Sequence, residues 1–314
     1  MTVAAALLLY VLVVLAAGPV LLSRLAADGI APRLAITAWL TAIVTVLGCS
    51  ITAVALILIE AAGHWDSPDA LIASCVQRLS AILVGHSGWP AQLVAGIAIA
   101  AATGALSAVV IRMVRALSRM RTHTLDHADA VRLVGRPRGG DVVVIEAPEP
   151  AAYCVAGRPA AIVVTSAAVA ALDTPQLAAV IAHERAHLRG RHAYIVAAVR
   201  GVASALPKIS FFAAASTEVA SLLEMCADDV AARQHSRHSL LGGLLALSGV
   251  AAPAHGLAAA SVAVLIRARR LTDPPRGISQ LRTRATLGGA VAAMAATPVV
   301  IAVLALSGAL ICFA

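Results

Sequence analysis

Long apolar runs alternate with arginine-bearing breaks along this chain. Residues 2–22 carry no charge and are long enough to cross a bilayer as a helix, which takes about 20 apolar residues. Ala16-Ala17-Gly18 resembles a signal cleavage site, but no positive residue precedes the run, so it reads as a retained helix. Residues 34–59 and 91–111 form two further apolar runs, and 285–314 a last one with Pro298 inside it. Two other stretches, 193–215 and 240–266, are apolar but interrupted, the first by Arg200 and Pro207-Lys208, the second by Pro253 and His255. These read as core helices of a water-facing domain or as segments lying against the membrane. Short β-branched runs at 141–146 and 161–165 predict strands, with Pro148, Pro150, Gly157 and Pro159 as turns between them. The fold class is therefore a mainly α membrane protein. Three N-terminal transmembrane helices occupy 1–115, a cytoplasmic α+β domain with a small sheet follows at 116–284, and one transmembrane helix closes the chain at 285–314.

Composition strengthens the membrane reading. The chain has 314 residues, of which 60% are hydrophobic and 13% charged, against about 25% charged in ordinary soluble domains. The formal net charge is +8, and Lys208 is the only lysine. Arginines cluster at Arg112, Arg115, Arg119, Arg121, Arg132, Arg136 and Arg138, and again at Arg267, Arg269, Arg270, Arg276, Arg282 and Arg284. Because cytoplasmic flanks of membrane helices are rich in arginine, the two clusters assign 116–284 to the cytoplasm and both termini to the outside. They flank spans and form no recognition element, so direct nucleic-acid binding is not expected. The loop at 60–90, with Asp66, Asp69 and interfacial Trp65 and Trp89, is the sizeable outside segment. Five widely spaced cysteines, with no C-x-x-C pair, argue against a disulfide framework or a thiolate metal site.

The chemistry concentrates at His183-Glu184-Arg185-Ala186-His187. On a helix the two histidines lie at i and i+4 on one face and can grip one Zn²⁺, with Glu184 beside them as general base. Thr174 as N-cap, Pro175 in the first turn and Gly190 as a stop frame that helix. A catalytic zinc takes three protein ligands and keeps one open position. Glu224, on a helix expected to start near Thr217, can supply the third, and Asp228, one turn further, can hold the outer N–H of a ligating imidazole. Asp229 is the alternative partner, and Cys226 faces away from Glu224 as a core residue. The 36 residues between His187 and Glu224 cannot supply two full spans with turns, so 193–215 does not cross. Strand 162–165 is the candidate edge for an extended peptide substrate.

These segments carry a resemblance. Three spans precede Ala160-Ala-Ile-Val-Val-Thr-Ser166. Then come Leu177 to His192, which holds the H-E-x-x-H string, Leu223-Glu-Met-Cys-Ala-Asp-Asp229 and a closing span. Together they resemble the membrane metallopeptidases of the BlaR/MecR antirepressor type, relatives of the HtpX and CAAX-prenyl peptidases. The resemblance implies zinc held by His183, His187 and Glu224, with Glu184 as base, and a winged-helix repressor of the cytoplasm as substrate, cleaved in antibiotic or cell-wall stress signalling. Sensors of that family carry an outside penicillin-binding domain after the last span. This sequence ends at Ala314 and has no S-x-x-K, so covalent β-lactam sensing is not expected. Two other functions fit the same residues: an HtpX-like quality-control protease, and a non-catalytic signal transducer whose structural zinc takes His192 as a fourth ligand. Arg233, His235, His238 and His255 are candidate oxyanion donors.

Overall fold

The computed structural model describes residues 2–63, 133–155, 157, 159–248, 257–273 and 277–307, with scattered positions between 97 and 131. In chain order the elements are α1 (Thr2–Ala26), α2 (Pro32–Gly63), β1 (Arg136–Gly139), β2 (Val142–Ile145), β3 (Ala152–Val155) and β4 (Ala161–Thr165). There follow α3 (Ser166–Ala171), α4 (Thr174–Arg189), α5 (His192–Ala205), α6 (Ser210–Gln234), α7 (Arg237–Ser248), α8 (Leu257–Thr272) and α9 (Ile278–Leu306). The chain divides into two compact units.

The first unit comprises Met1–Leu22, Thr37–Arg112 and Gly288–Ala314. It holds most of the helices that are long and apolar enough to cross a membrane: Val3–Ala26 and Pro32–Ile59, each with mean hydropathy 2.6, and Ile278–Ala305 at 2.1. Large apolar side chains stay exposed along them, among them Leu9, Leu12, Val44 and Val299, as suits helices that face hydrocarbon. One polar tie crosses this apolar set: Tyr10 Oη lies 3.0 Å from both Thr45 Oγ1 and the Met294 carbonyl oxygen. The last helix begins at Ile278, ahead of the expected 285 and inside the arginine cluster. Most of the third expected span, 91–111, and nearly all of the 60–90 loop lie outside the described residues.

The second unit comprises Ser23–Ile36 and Met113–Leu287. Its sheet has the order β1-β2-β4-β3, with β2 and β4 parallel and both outer pairs antiparallel. The continuous apolar run of β4 is explained by burial on two faces. Ile162 and Val164 pack with Val142, Leu177 and Val180, whereas Val163 packs with Val131 and Val155. This corrects the expectation that 162–165 forms an edge: β4 is an inner strand, and the edge on its side is β3. Two strands went unpredicted. Arg136-Pro137-Arg138-Gly139 reads as a charged loop but pairs with β2 as an exposed outer strand, a place where proline is tolerated. Ala152–Val155 was hidden among its prolines and glycine.

Helix α4 is sandwiched. Leu177 and Val180 face the sheet, while Ala179 and Ala182 meet Ala231 of α6, Leu240 of α7 and Leu271 of α8. Its N-cap is Asp173, not Thr174. Asp173 Oδ1 accepts from the Gln176 backbone N–H at 2.8 Å, and the Gln176 side chain accepts from the Asp173 N–H at 3.2 Å, forming a reciprocal capping box. The stretch 193–215 divides between α5 and α6 at Leu206–Ile209. At 14 residues, α5 reaches about 21 Å and is too short to cross a membrane. Helix α6 starts at Ser210, earlier than Thr217.

The turn between α1 and α2 belongs to this second unit. Gly29 adopts φ +58, and its carbonyl accepts from Arg270 Nε at 2.8 Å. A Cβ at Gly29 would stand 2.6 Å from Met225 Sδ, so only glycine fits both the backbone and the gap.

Candidate metallopeptidase site

The two histidines of α4 and one carboxylate of α6 meet. His183 Nε2 lies 3.1 Å from His187 Nε2 and 3.3 Å from Glu224 Oε2, and His187 Nε2 lies 3.5 Å from Glu224 Oε1. Donor atoms around a tetrahedral zinc with bonds of 2.0–2.2 Å stand roughly 3.3–3.6 Å apart. The three donors are therefore spaced to hold such an ion, and they form a metal-capable cluster among the described residues.

The outer nitrogen of each imidazole has a polar group close by. His183 Nδ1 lies 3.0 Å from Asp228 Oδ1, and Asp228 is 1% exposed. With the proton on Nδ1, His183 Nε2 presents its lone pair to the cluster. His187 Nδ1 lies 2.9 Å from His192 Nδ1. His192 thus stands behind His187, and its near nitrogen is engaged there, so it adds no fourth donor to the cluster. Burial, then the neighbouring His187, pushes His192 down to about 4. A neutral His192 can accept from His187 Nδ1–H. The chain reaches this position through Arg191 at φ 52, the one non-glycine positive φ among the described residues. Gly190 permits it, because a Cβ there would be 2.3 Å from His192 Nε2.

Arg267 of α8 completes the arrangement. Its Nε and Nη2 donate to Asp228 Oδ2 and Oδ1 at 2.7 and 2.8 Å, and Nη1 lies 3.1 Å from Glu224 Oε2. The sequence assigned Arg267 to a membrane-flanking cluster, and the structure turns it into the site. Its place as the first cation after a long apolar run carries no signal that separates the two roles. Asp229, the alternative partner for an imidazole, instead accepts from Arg270 Nη2 at 2.7 Å. Arg233, His235 and His238 lie where α6 gives way to α7, two turns or more beyond Glu224, and Arg233 and His238 are exposed. His255 lies outside the described residues.

The electrostatics follow from burial and these pairs. Burial alone would lower His183, but the Asp228 and Glu224 carboxylates outweigh it and raise it to about 9. Two carboxylates around one imidazole thus favour a cation at this point. Burial would raise Glu224, yet both imidazoles and Arg267 hold it well below the usual carboxylate range. Burial likewise opposes the Asp228 carboxylate, but Arg267 and His183 outweigh it and keep it low. Glu184 is the exception: burial raises it, with Glu224 adding to the rise and the two imidazoles opposing it. Its carboxylate is within hydrogen-bonding reach of the Cys154 backbone, which puts edge strand β3 beside Glu184. Burial, then Glu184, pushes the Cys154 thiol up to about 12, so it stays neutral. Outside the cluster, Arg185 forks onto Asp141, Nε reaching Oδ2 at 2.9 Å and Nη2 pairing with Oδ1, and so fastens α4 to the turn before β2.

Residues 126–248 match the profile of Peptidase family M48, a family of metal-dependent peptidases. No curated protein and no solved structure matches the chain. The family match and the membrane-length helices together support a membrane-bound metallopeptidase.

Proposed function

We propose that this protein is a membrane-bound zinc endopeptidase that cleaves a cytoplasmic protein, a winged-helix repressor of the BlaI/MecI kind, in signal-induced gene regulation. The observation that carries the reading is the spacing of His183 Nε2, His187 Nε2 and a Glu224 oxygen at 3.1–3.5 Å, with Glu184 next to the first of them. His183, His187 and Glu224 would hold a divalent cation, which would supply Lewis-acid polarisation of a carbonyl and make water more acidic. Glu184 takes a proton from the attacking water and later delivers it to the leaving amine, a role that suits its buried, raised carboxyl. Asp228 and His192 fix the imidazole orientations, and Arg267 fixes the two carboxylates. The outer edge of β3, next to Glu184, offers main-chain hydrogen bonds to an extended substrate.

The repressor substrate rests on the likeness to antirepressor peptidases and on reading the arginine clusters around 116–284 as cytoplasmic flanks of membrane spans. The test is a comparison of proteins cut in cells that carry wild type or Glu184→Gln, which keeps the three donors and loses the base. One cytoplasmic DNA-binding protein, cut only by the wild type, is the expected result. Many membrane proteins cut instead would favour quality control, and equal cleavage by the variant would sink the mechanism.

A further inference from the structure

A cavity of about 430 Å³ lies within the second unit, apart from the donor cluster. Two exposed arginines, Arg189 and Arg33, the latter within hydrogen-bonding reach of the lining Cys226 thiol, bring positive charge to its lining, and Ile36, Ile195, Leu223 and Val230 give it an apolar wall. Among the described residues, no carboxylate lines it. A cavity with a cationic rim and an apolar wall selects an anionic amphiphile. Guanidinium groups favour phosphate, whose oxygens match their paired N–H donors.

The position of Arg33 narrows the choice. It occupies the first turn of α2, whose segment Pro32–Ile59 is long and apolar enough to cross a membrane. A cation at the mouth of such a span stands at headgroup level. Ile36, one turn deeper, is 7% exposed and faces the cavity. An occupant can therefore place its phosphate between Arg33 and Arg189 and lay its first methylenes along the wall. His192 also lines the cavity, and its ring touches His187, so the occupant sits one side chain away from the candidate site.

We infer that this cavity binds the phosphate headgroup of an anionic phospholipid through Arg33 and Arg189. The inference rests on the membrane-bound reading of the chain and not on peptidase activity. Binding is measured directly, so its failure is distinct from a failure of Glu184→Gln to abolish cleavage.

The experiment uses the delipidated full chain in non-ionic detergent. Short-chain phosphatidylglycerol, short-chain phosphatidylcholine and inorganic phosphate are titrated separately by calorimetry, and native mass spectrometry counts the adducts. Phosphatidylglycerol is expected to bind about 10-fold more tightly than phosphatidylcholine, with inorganic phosphate weaker than phosphatidylglycerol. Arg33→Gln and Arg189→Gln should each weaken phosphatidylglycerol by about 10-fold, and exposed Arg237→Gln should change nothing. Ile195→Trp, which fills the cavity and keeps both charges, should also block it. Equal affinity for the two lipids, or phosphatidylglycerol binding that survives both arginine variants, overturns the inference. Inorganic phosphate binding as tightly as phosphatidylglycerol, and lost in the same variants, would overturn the lipid assignment in favour of a free phosphate site.

Discussion

Arg267 grips Asp228 with two parallel hydrogen bonds, Nε to Oδ2 at 2.7 Å and Nη2 to Oδ1 at 2.8 Å, in a place where Asp228 is 1% exposed. The geometry is the fork-on-fork pairing that only arginine offers. Asp228 in turn stands behind His183, so the charge pair reaches the metal-capable cluster through one imidazole. Arg267→Lys keeps the charge and loses the fork. It should weaken zinc affinity by about 10–100-fold, the usual range for partners behind a ligand. Competition against a chromophoric chelator measures this, and an unchanged affinity would remove Arg267 from the account.

Gly190 predicts an effect that depends on a second residue. An added Cβ would stand 2.3 Å from His192 Nε2, so Gly190→Ala must push that ring away from His187. The expected cost is about 1–3 kcal/mol, as for other overpacked sites. In a His192→Ala background only the 3.1 Å approach to the Ala186 carbonyl oxygen remains, and the cost should shrink. Thermal or denaturant unfolding of the four members of this cycle tests it, and strictly additive losses would show that the ring is not what the glycine accommodates.

Asp141 predicts a pH dependence. The fork from Arg185, opposed by some desolvation, holds its carboxyl below the ordinary value. A group lowered in the folded state lends stability above its unfolded pKa of about 3.9, and that stability is lost as pH falls through the lower folded value. Both side chains are 33% exposed, so screening limits the contribution to less than about 1 kcal/mol. Asp141→Asn should therefore lower Tm modestly at neutral pH, and the gap to wild type should close in strong acid. A gap independent of pH would contradict the pairing.

Much of this arrangement could be read from the chain, and what could not has identifiable causes. The i, i+4 histidines on a capped helix and an acidic pair on a later apolar helix are local patterns, and local patterns survive folding. Strands β2 and β4 were visible because each holds a continuous β-branched run. The edges were not visible. Strand β3 shows only Ala-Tyr-Cys-Val between turn residues, and nothing local says that it pairs with β4 and lies beside Glu184. Arg267 was misread because an arginine after an apolar run looks the same whether it meets lipid headgroups or a buried Asp228 across 39 residues of sequence. His192 was noted as a spare donor, and only the left-handed turn at Arg191 reveals that it backs His187.

The turn at Gly29 has a consequence for how the protein comes to be made. Arg270 and Met225, on two helices of the second unit, are covered by a backbone segment synthesised long before either of them. A fragment cut to begin after the third apolar run would leave that seat empty beside Glu224 and Asp228. The second unit is therefore closed only once residues 23–36 have met Arg270 and Met225, which ties its completion to the earliest-made part of the chain.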